Sequence, residues 1–402
     1  MRISKNMTLM PTQMNDKINI DVDLIKSSFL FKPNKNKVIN QTQTQMHNQN
    51  KIKSFMHLYD FSCVNSILIC NKIKEIRYYK ERFANIIEKY EFIKIGQLNE
   101  PKTRLEYMTP FEMKNNEKCL LLQYNSSKYI PFTDFLFQLP NVKLFVFHVL
   151  DSYFYLLNSC ILLQSHNMVF FHLSSENIGF TENYKPVLCN FQNINSNINS
   201  NSLLLEKCNG NNAESYITQI IEKRTDFAHT PIEVRVLYFL IKNEKDSLSM
   251  REIQEISIHY TRSLPFLEFF SPDEKNKYYE ECLCFLKKYV NISKTDIITD
   301  ILNYTNSWDN FSLSILYLHV VQNIIEFYSL SPSFSNKSTF MNDFMFLLIQ
   351  NVSPNPMKRE TPTKTHIRFE TLYETHMDWT FIKTDFLCKN RCIQDLYEKI
   401  LK

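Results

Sequence analysis

The sequence predicts an α+β fold that is mainly helical, on three observations. Short β-like apolar runs occur in one stretch only, between Met56 and Tyr124. Helical spacing of apolar side chains dominates from Phe132 onward. Hydrophobic residues make up 44% of the 402 positions and glycine only 3 of them, so most of the chain has the composition to fold around a sizeable core. The 46 basic and 42 acidic residues are interspersed and leave a net charge of +4, which gives no electrostatic footprint for a nucleic-acid partner.

From the N-terminus, residues 1–52 are polar and compositionally biased, with Lys32 to Lys37 and the Gln-rich run Gln41 to Lys51. They are expected to form a disordered arm, because they bury too little apolar surface to offset the entropy of ordering. Residues 53–125 read as a small strand-containing region. Its strands are predicted at Met56 to Phe61, Ser66 to Cys70 and Lys118 to Tyr124, with a helix over Ile76 to Phe92, where Tyr79, Phe83, Ile86, Ile87 and Tyr90 recur at helical spacing. Asn125 to Pro131 reads as a connector, and residues 126–402 as a helical region. Helices are predicted at Phe132 to Leu139, Asn141 to Leu163, Pro231 to Asn243, Ser249 to Ser263, Pro272 to Tyr289, Lys294 to Tyr304, Phe311 to Ser329 and Ser338 to Asn351, with more helix after Pro362. The Asn-rich stretch Asn193 to Asn212 is expected to be mobile. There is no internal repeat.

The ten cysteines include no paired C-x2-C; the closest spacings are Cys282-x-Cys284 and Cys388-x3-Cys392, so they read as reduced, mostly buried thiols in a cytosolic protein. Arg2 and Lys5 are not followed by an apolar run, so neither a secretory leader nor a lipidation signal is expected. The apolar run Leu144 to Leu163 contains His148, Asp151, Ser152, Asn158 and Ser159, which predicts a buried core helix, not a membrane span. A cytoplasmic protein without a membrane partner is the expectation.

The chemistry concentrates in one segment. Val169-Phe170-Phe171-His172-Leu173-Ser174-Ser175-Glu176-Asn177-Ile178 is followed, after a turn at Glu182-Asn183, by Pro186-Val187-Leu188-Cys189-Asn190-Phe191-Gln192. These resemble the catalytic loop H-R-D-L-K-P-E-N and the metal loop D-F-G of protein kinases. Phe170, Phe171 and His172 stand at H-R-D, Ser174 at the Lys, Asn177 at the Asn and Asn190-Phe191-Gln192 at D-F-G. The family's spacings are kept, 177 − 172 = 5 and 190 − 177 = 13. Downstream, Thr230-Pro231-Ile232-Glu233 resembles the A-P-E that closes the activation segment. Trp308-Asp309-Asn310-Phe311-Ser312-Leu313-Ser314 resembles the D-x-W-S-x-G segment whose Asp braces the catalytic loop. Asn355-Pro356-Met357-Lys358-Arg359-Glu360-Thr361 resembles the D-P-x-x-R-x-T whose Arg pairs with the A-P-E Glu.

The resemblance covers roughly residues 55–400. It implies a protein kinase-like two-lobed fold, with residues 53–125 as a reduced strand-containing N-lobe and 126–402 as an enlarged helical C-lobe. It also implies structural roles for Glu233, Asp309 and Arg359, including a buried Glu233–Arg359 ion pair. The separation 309 − 233 = 76 exceeds what the family uses, which places a helical insertion at about 235–305 and supplies a candidate docking surface. The chain is most similar to divergent kinase-like proteins of the type encoded by large DNA viruses; this implies the host cytoplasm and a host or viral protein as partner.

The loop departs from the family in its chemistry. In kinases the loop Asp orients the substrate hydroxyl, and the Asn and metal-loop Asp hold magnesium against ATP. The corresponding candidates here are His172 and Glu176 for catalysis, Asn177 and Asn190 for the metal, and Lys72, Asn177 and Asn190 for the nucleotide, with Glu88 or Glu81 as the partner of Lys72. A neutral histidine supplies no negative charge, Ser174 supplies no ammonium, and Asn190 offers a neutral oxygen where magnesium favours an anionic one. With glycines only at 96, 179 and 210, no G-x-G-x-x-G exists to cover phosphates. Three functions stay open. They are a pseudokinase acting by protein binding with weak or no phosphoryl transfer, an active divergent serine/threonine kinase using ATP and magnesium, and a helical scaffold without a nucleotide site.

Other constellations carry less. His366 and His376 near Glu370, Glu374 and Asp378 read as surface histidines. No G-x-S-x-G elbow is present. Cys189 reads as a buried structural thiol, and the aromatic residues of Asn141 to Leu163 as core packing.

Overall fold

The computed structural model describes residues 52–58, 61–94, 118–125, 128–137, 139, 142–170, 172–191, 203–208, 213–221, 229–327 and 340–375. The arm predicted over residues 1–52, the C-terminal stretch 376–402, Phe171 and Gln192 lie outside them, apart from Ile52 itself. Within them the fold is α+β and mainly helical.

The strand-containing part has β1 (Ile52–Leu58), α1 (Phe61–Glu75), β2 (Ile87–Lys94) and β3 (Lys118–Asn125). The three strands form an antiparallel sheet in the order β1-β3-β2, with Phe55 and Tyr90 both opposite Leu122. Buried Leu122 and Tyr124 share one core with Ile69, Cys70, Ile73 and Ile76, and the Ile87 amide donates to Cys70 Sγ.

Two predictions fail in this part. Ser66 to Cys70 is not a strand but the middle of α1, with Ser66, Ile69, Cys70 and Ile73 buried at helical spacing and Leu68 turned outward. A five-residue apolar run does not distinguish strand from buried helix by itself. Ile76 to Phe92 is not a helix. Tyr78 and Asn85 take left-handed backbone conformations, φ 60° and 56°, which interrupt any helix, and the segment becomes a single 3-10 turn, Tyr79–Glu81, followed by β2.

The remainder begins with β4 (Ile130–Pro131), α2 (Phe132–Phe137) and α3 (Val142–Ser165). Next come β5 (Met168–Val169), the 3-10 turn Ser175–Asn177, β6 (Ile178–Phe180) and β7 (Pro186–Leu188). β4, β6 and β7 form an antiparallel sheet in the order β4-β6-β7. The stretch expected to be mobile contains an ordered portion: β8 (Leu203–Leu204) pairs with β5 and leads into α4 (Leu205–Cys208). The helices α5 (Ala213–Ile221), α6 (Ile232–Lys242), α7 (Met250–Arg262), α8 (Pro272–Leu286) and α9 (Lys294–Leu302) follow. The chain then forms α10 (Trp308–Phe327), α11 (Phe340–Asn351) and α12 (Pro362–Thr375).

Among the described residues α3 is long and apolar enough to cross a membrane. Its Val149, Tyr153, Leu156, Leu157 and Cys160 are buried, and it packs on α10 and α12. Tyr153 meets Tyr317, Phe344 and Phe369 at centroid distances of 5.0, 5.1 and 5.4 Å, edge-on to the first two and tilted to the third, which builds the aromatic core expected there.

Helices α7 to α9 occupy the predicted insertion. Ser249 with Glu252 and Ser271 with Glu274 form capping boxes that start α7 and α8 where the sequence places them. Lys288, just after α8, lies 2.6 Å from Asp300 of α9 and over the Phe285, Tyr289 and Tyr304 rings. Lys294 reaches back to Glu214 of α5 at 2.8 Å.

Candidate functional site

The segment 168–191 is tied to the helical part by Asp309, whose neighbours on the same helix start meet a buried ion pair. Asp309, at the start of α10, is wholly buried, and its Oδ1 accepts the backbone N–H of Phe170 at 2.7 Å across 139 residues of sequence. Burial pushes its carboxyl up to about 8, partly offset by that hydrogen bond. Glu233, at the start of α6, is paired with Arg359, neither side chain exposing any surface. The same Glu233 Oε1 accepts the indole N–H of Trp308 at 3.3 Å, and the Arg359 guanidinium lies over the Phe311 ring at 5.2 Å. The helix carrying Glu233, the helix start carrying Asp309 and the turn carrying Arg359 therefore meet at one buried point.

Phe191 packs edge-on against Phe170 at 4.9 Å and Phe83 at 5.7 Å. This joins the loop to the segment between α1 and β2. That segment docks on β7, Ala84 N–H donating to Leu188 O and Leu188 N–H to Arg82 O, each at 2.8 Å. The Arg82 guanidinium in turn lies over the Tyr155 ring of α3 at 4.3 Å.

Asn177 and Asn190, the two candidate metal ligands, are brought together. Asn177 Nδ2 donates to the Asn190 carbonyl at 3.3 Å. The Asn177 side-chain oxygen accepts both the backbone N–H and the hydroxyl of Ser174, at 3.0 Å each, closing a capping box on the turn Ser175–Asn177. Asn190 takes a left-handed backbone, φ 54°, which asparagine tolerates, and its Nδ2 donates to the Glu176 carbonyl at 2.6 Å. Its Oδ1 faces two donors, the Tyr129 hydroxyl and Asn85 Nδ2, both at 3.4 Å.

Tyr129 completes the cluster. Its ring packs with Ala84, Val187 and Cys189 and lies directly on Gly179 of β6. Asn85 Nδ2 donates to its hydroxyl at 3.0 Å. Burial and the neighbouring Cys189 raise the phenol above its usual range. Cys189 is itself pushed up to about 12 by burial, which disfavours its thiolate.

The remaining candidates bring no side chain to this cluster. His172 is buried, its ring edge-on to that of His229 at 5.9 Å, ahead of α6. Glu176 is exposed and contributes its backbone carbonyl to Asn190. Lys72 is a correction: it sits on α1, not after a strand, and it faces Glu75 at 3.5 Å and Glu206 at 3.6 Å. Neither Glu88 nor Glu81 partners it. Glu88 is engaged by Lys80 at 3.7 Å and by the Tyr79 hydroxyl at 3.3 Å, because β2 carries it to another side. His366 stacks on Phe154 at 4.4 Å, Cys282 is buried while Cys284 is exposed, and His376 lies outside the described residues.

The Asn177 and Asn190 oxygens do not fit a magnesium ion in this arrangement. Both acceptor sites of the Asn177 oxygen are taken by donors of Ser174, and the Asn190 oxygen is turned to a hydroxyl and an amide. Among the described residues no group of three or more His, Cys, Asp or Glu is gathered to hold a metal. What the arrangement supports is a closed, neutral hydrogen-bond network. Tyr129, Asn85 and Gly179 escaped the sequence reading as site residues. The available signal was a glycine within a buried apolar strand of a chain holding only 3 glycines, a mark of close approach. No protein-family model and no curated protein matches this chain.

Proposed function

We propose that this chain is a pseudokinase: a kinase-like two-lobed protein that carries out no phosphoryl transfer and works by binding another protein of its host or of its own genome. One observation carries the reading. Asp309 holds the backbone of Phe170, and Glu233 pairs with Arg359, as the resemblance predicts for structural braces, while the loop presents two asparagines, the Asn177 side chain donating to the Asn190 backbone carbonyl and the Asn190 side chain to that of Glu176. Phosphoryl transfer depends on positioned negative charge, metal and phosphate-directed cations. At the positions where those groups would stand, the chain has His172, Ser174 and Asn190.

The strand order β1-β3-β2 with α1 packed on it supports a small lobe, and α7 to α9 supply the extra surface that a protein partner would use. The test is phosphoryl transfer itself. Purified full-length protein incubated with γ-labelled ATP and magnesium or manganese, with and without generic protein substrates, is expected to label nothing above a heat-treated control. Labelling that is lost in Asn177→Ala and Asn190→Ala returns the chain to the active kinases.

A further inference from the structure

We infer that Tyr129 is a built-in occupant of the space beside Asn190, seated on a glycine floor and denying that space to a planar ligand of nucleobase type. The packing stands on its own; that a nucleobase is the excluded ligand rests on the pseudokinase reading. Strand β4 pairs Pro131 with Gly179, which sets Tyr129, two residues upstream, over β6. A Cβ at position 179 would lie 2.3 Å from Tyr129 Cδ2 and 2.7 Å from Cγ, distances that real side chains do not reach. Glycine is therefore what lets the ring lie against the strand. Ala84, Val187 and Cys189 bed the ring from the sides.

The far end of the ring is fixed as firmly. Its hydroxyl accepts from Asn85 at 3.0 Å and reaches the side-chain oxygen of Asn190 at 3.4 Å. Asn85 and Asn190 both adopt left-handed backbones, φ 56° and 54°, which turn their side chains to this one hydroxyl. Tyr129 thus spans from the floor strand just past Asn177 to the residue in the metal-loop position. A flat ring already fills the space, and the polar groups at its rim are already partnered.

Two measurements on the full-length protein test this. The first is nitration by tetranitromethane, mapped by mass spectrometry, with Tyr78, 62% exposed, as the internal reference. Tyr129 is expected to react at least about tenfold more slowly than Tyr78, and the protection to fall in Gly179→Ala or, should that variant not fold, in Asn85→Ala. Nitration of wild-type Tyr129 at the Tyr78 rate overturns the inference. The second is titration with a fluorescent adenine nucleotide without magnesium. Wild type is expected to show no saturable binding and Tyr129→Ala, checked for cooperative unfolding, to gain at least about tenfold in affinity. Equal binding by both, or binding by neither, overturns it. Nucleotide binding by wild type without labelling in the transfer assay sinks this inference and leaves the pseudokinase reading intact; labelling sinks that reading whatever the state of Tyr129.

Discussion

Two clusters, a buried one around Glu233 and Arg359 and a half-buried one around Asn190, treat charge in opposite ways. In the first, Glu233 and Arg359 form an ion pair whose side chains expose no surface, and the nearby Asp309 carboxyl holds the Phe170 backbone. In the second, Asn177, Asn190, Asn85 and Tyr129 make a network without a formal charge. The difference follows from what each cluster has to offer an ion. A buried charge is tolerated only with a partner, and Glu233 and Arg359 are each other's. Among the described residues no cation lies beside position 190, so an amide that both donates and accepts suits the place better than a carboxylate would.

Breaking the charged cluster should have the largest effect. Arg359→Ala leaves Glu233 buried and unpaired, with an expected loss of about 3–5 kcal/mol in urea unfolding, and Glu233→Leu/Arg359→Met together should recover most of it. A small loss in Arg359→Ala would mean that the pair does not hold the helices together. Asp309 comes next. Its folded value near 8 lies above the usual aspartate value of about 4, so its protonated form is favoured in the fold. Its contribution is fully present below about pH 4 and is lost as the pH rises toward 8. Asp309→Asn, unfolded in parallel with wild type, should gain on it by up to about 3 kcal/mol between about pH 5 and 8. A gap that does not change with pH would show that the carboxyl is ionised throughout.

The neutral cluster is sharpened by adding charge to it. Asn190→Asp replaces the donor to the Glu176 carbonyl, now 2.6 Å away, by an acceptor, and should cost about 1–3 kcal/mol. Magnesium at millimolar concentration should not restore that stability; restoration would reveal a cation site. The smallest effect is expected at Lys72, where an exposed pair with Glu75 and Glu206 predicts less than about 0.5 kcal/mol for Lys72→Ala, and no change in any nucleotide response.

These regions also differed in how legible they were. Most helices from Phe132 onward were readable because long amphipathic or apolar segments with Ser and Pro starts carry their own period and caps, as Ser249 and Ser271 do, whereas the short α4 and α5 next to the Asn-rich stretch were missed. The three braces, Glu233, Asp309 and Arg359, were readable only through the resemblance of the short motifs that carry them, since nothing in their local spacing ties such distant segments together. The strand-containing part was misread: Ser66 to Cys70 is too short to declare its period, and the left-handed residues Tyr78 and Asn85 break a spacing that otherwise looks helical. The contact of Tyr129 with Gly179 was not readable, since it depends on the register of β4 against β6, a nonlocal pairing.

The central claim is that the loop has kept its supports and lost its reaction, and the measurement that tests it most directly is thermal unfolding of the wild type with and without ATP and magnesium. A site binding at about 50 μM would stabilise the protein by about 2.7 kcal/mol at about 5 mM ligand, a shift of several degrees. The account predicts no shift from magnesium and ATP together beyond that of either alone. A magnesium-dependent rise in Tm, abolished in Asn190→Ala, would contradict it.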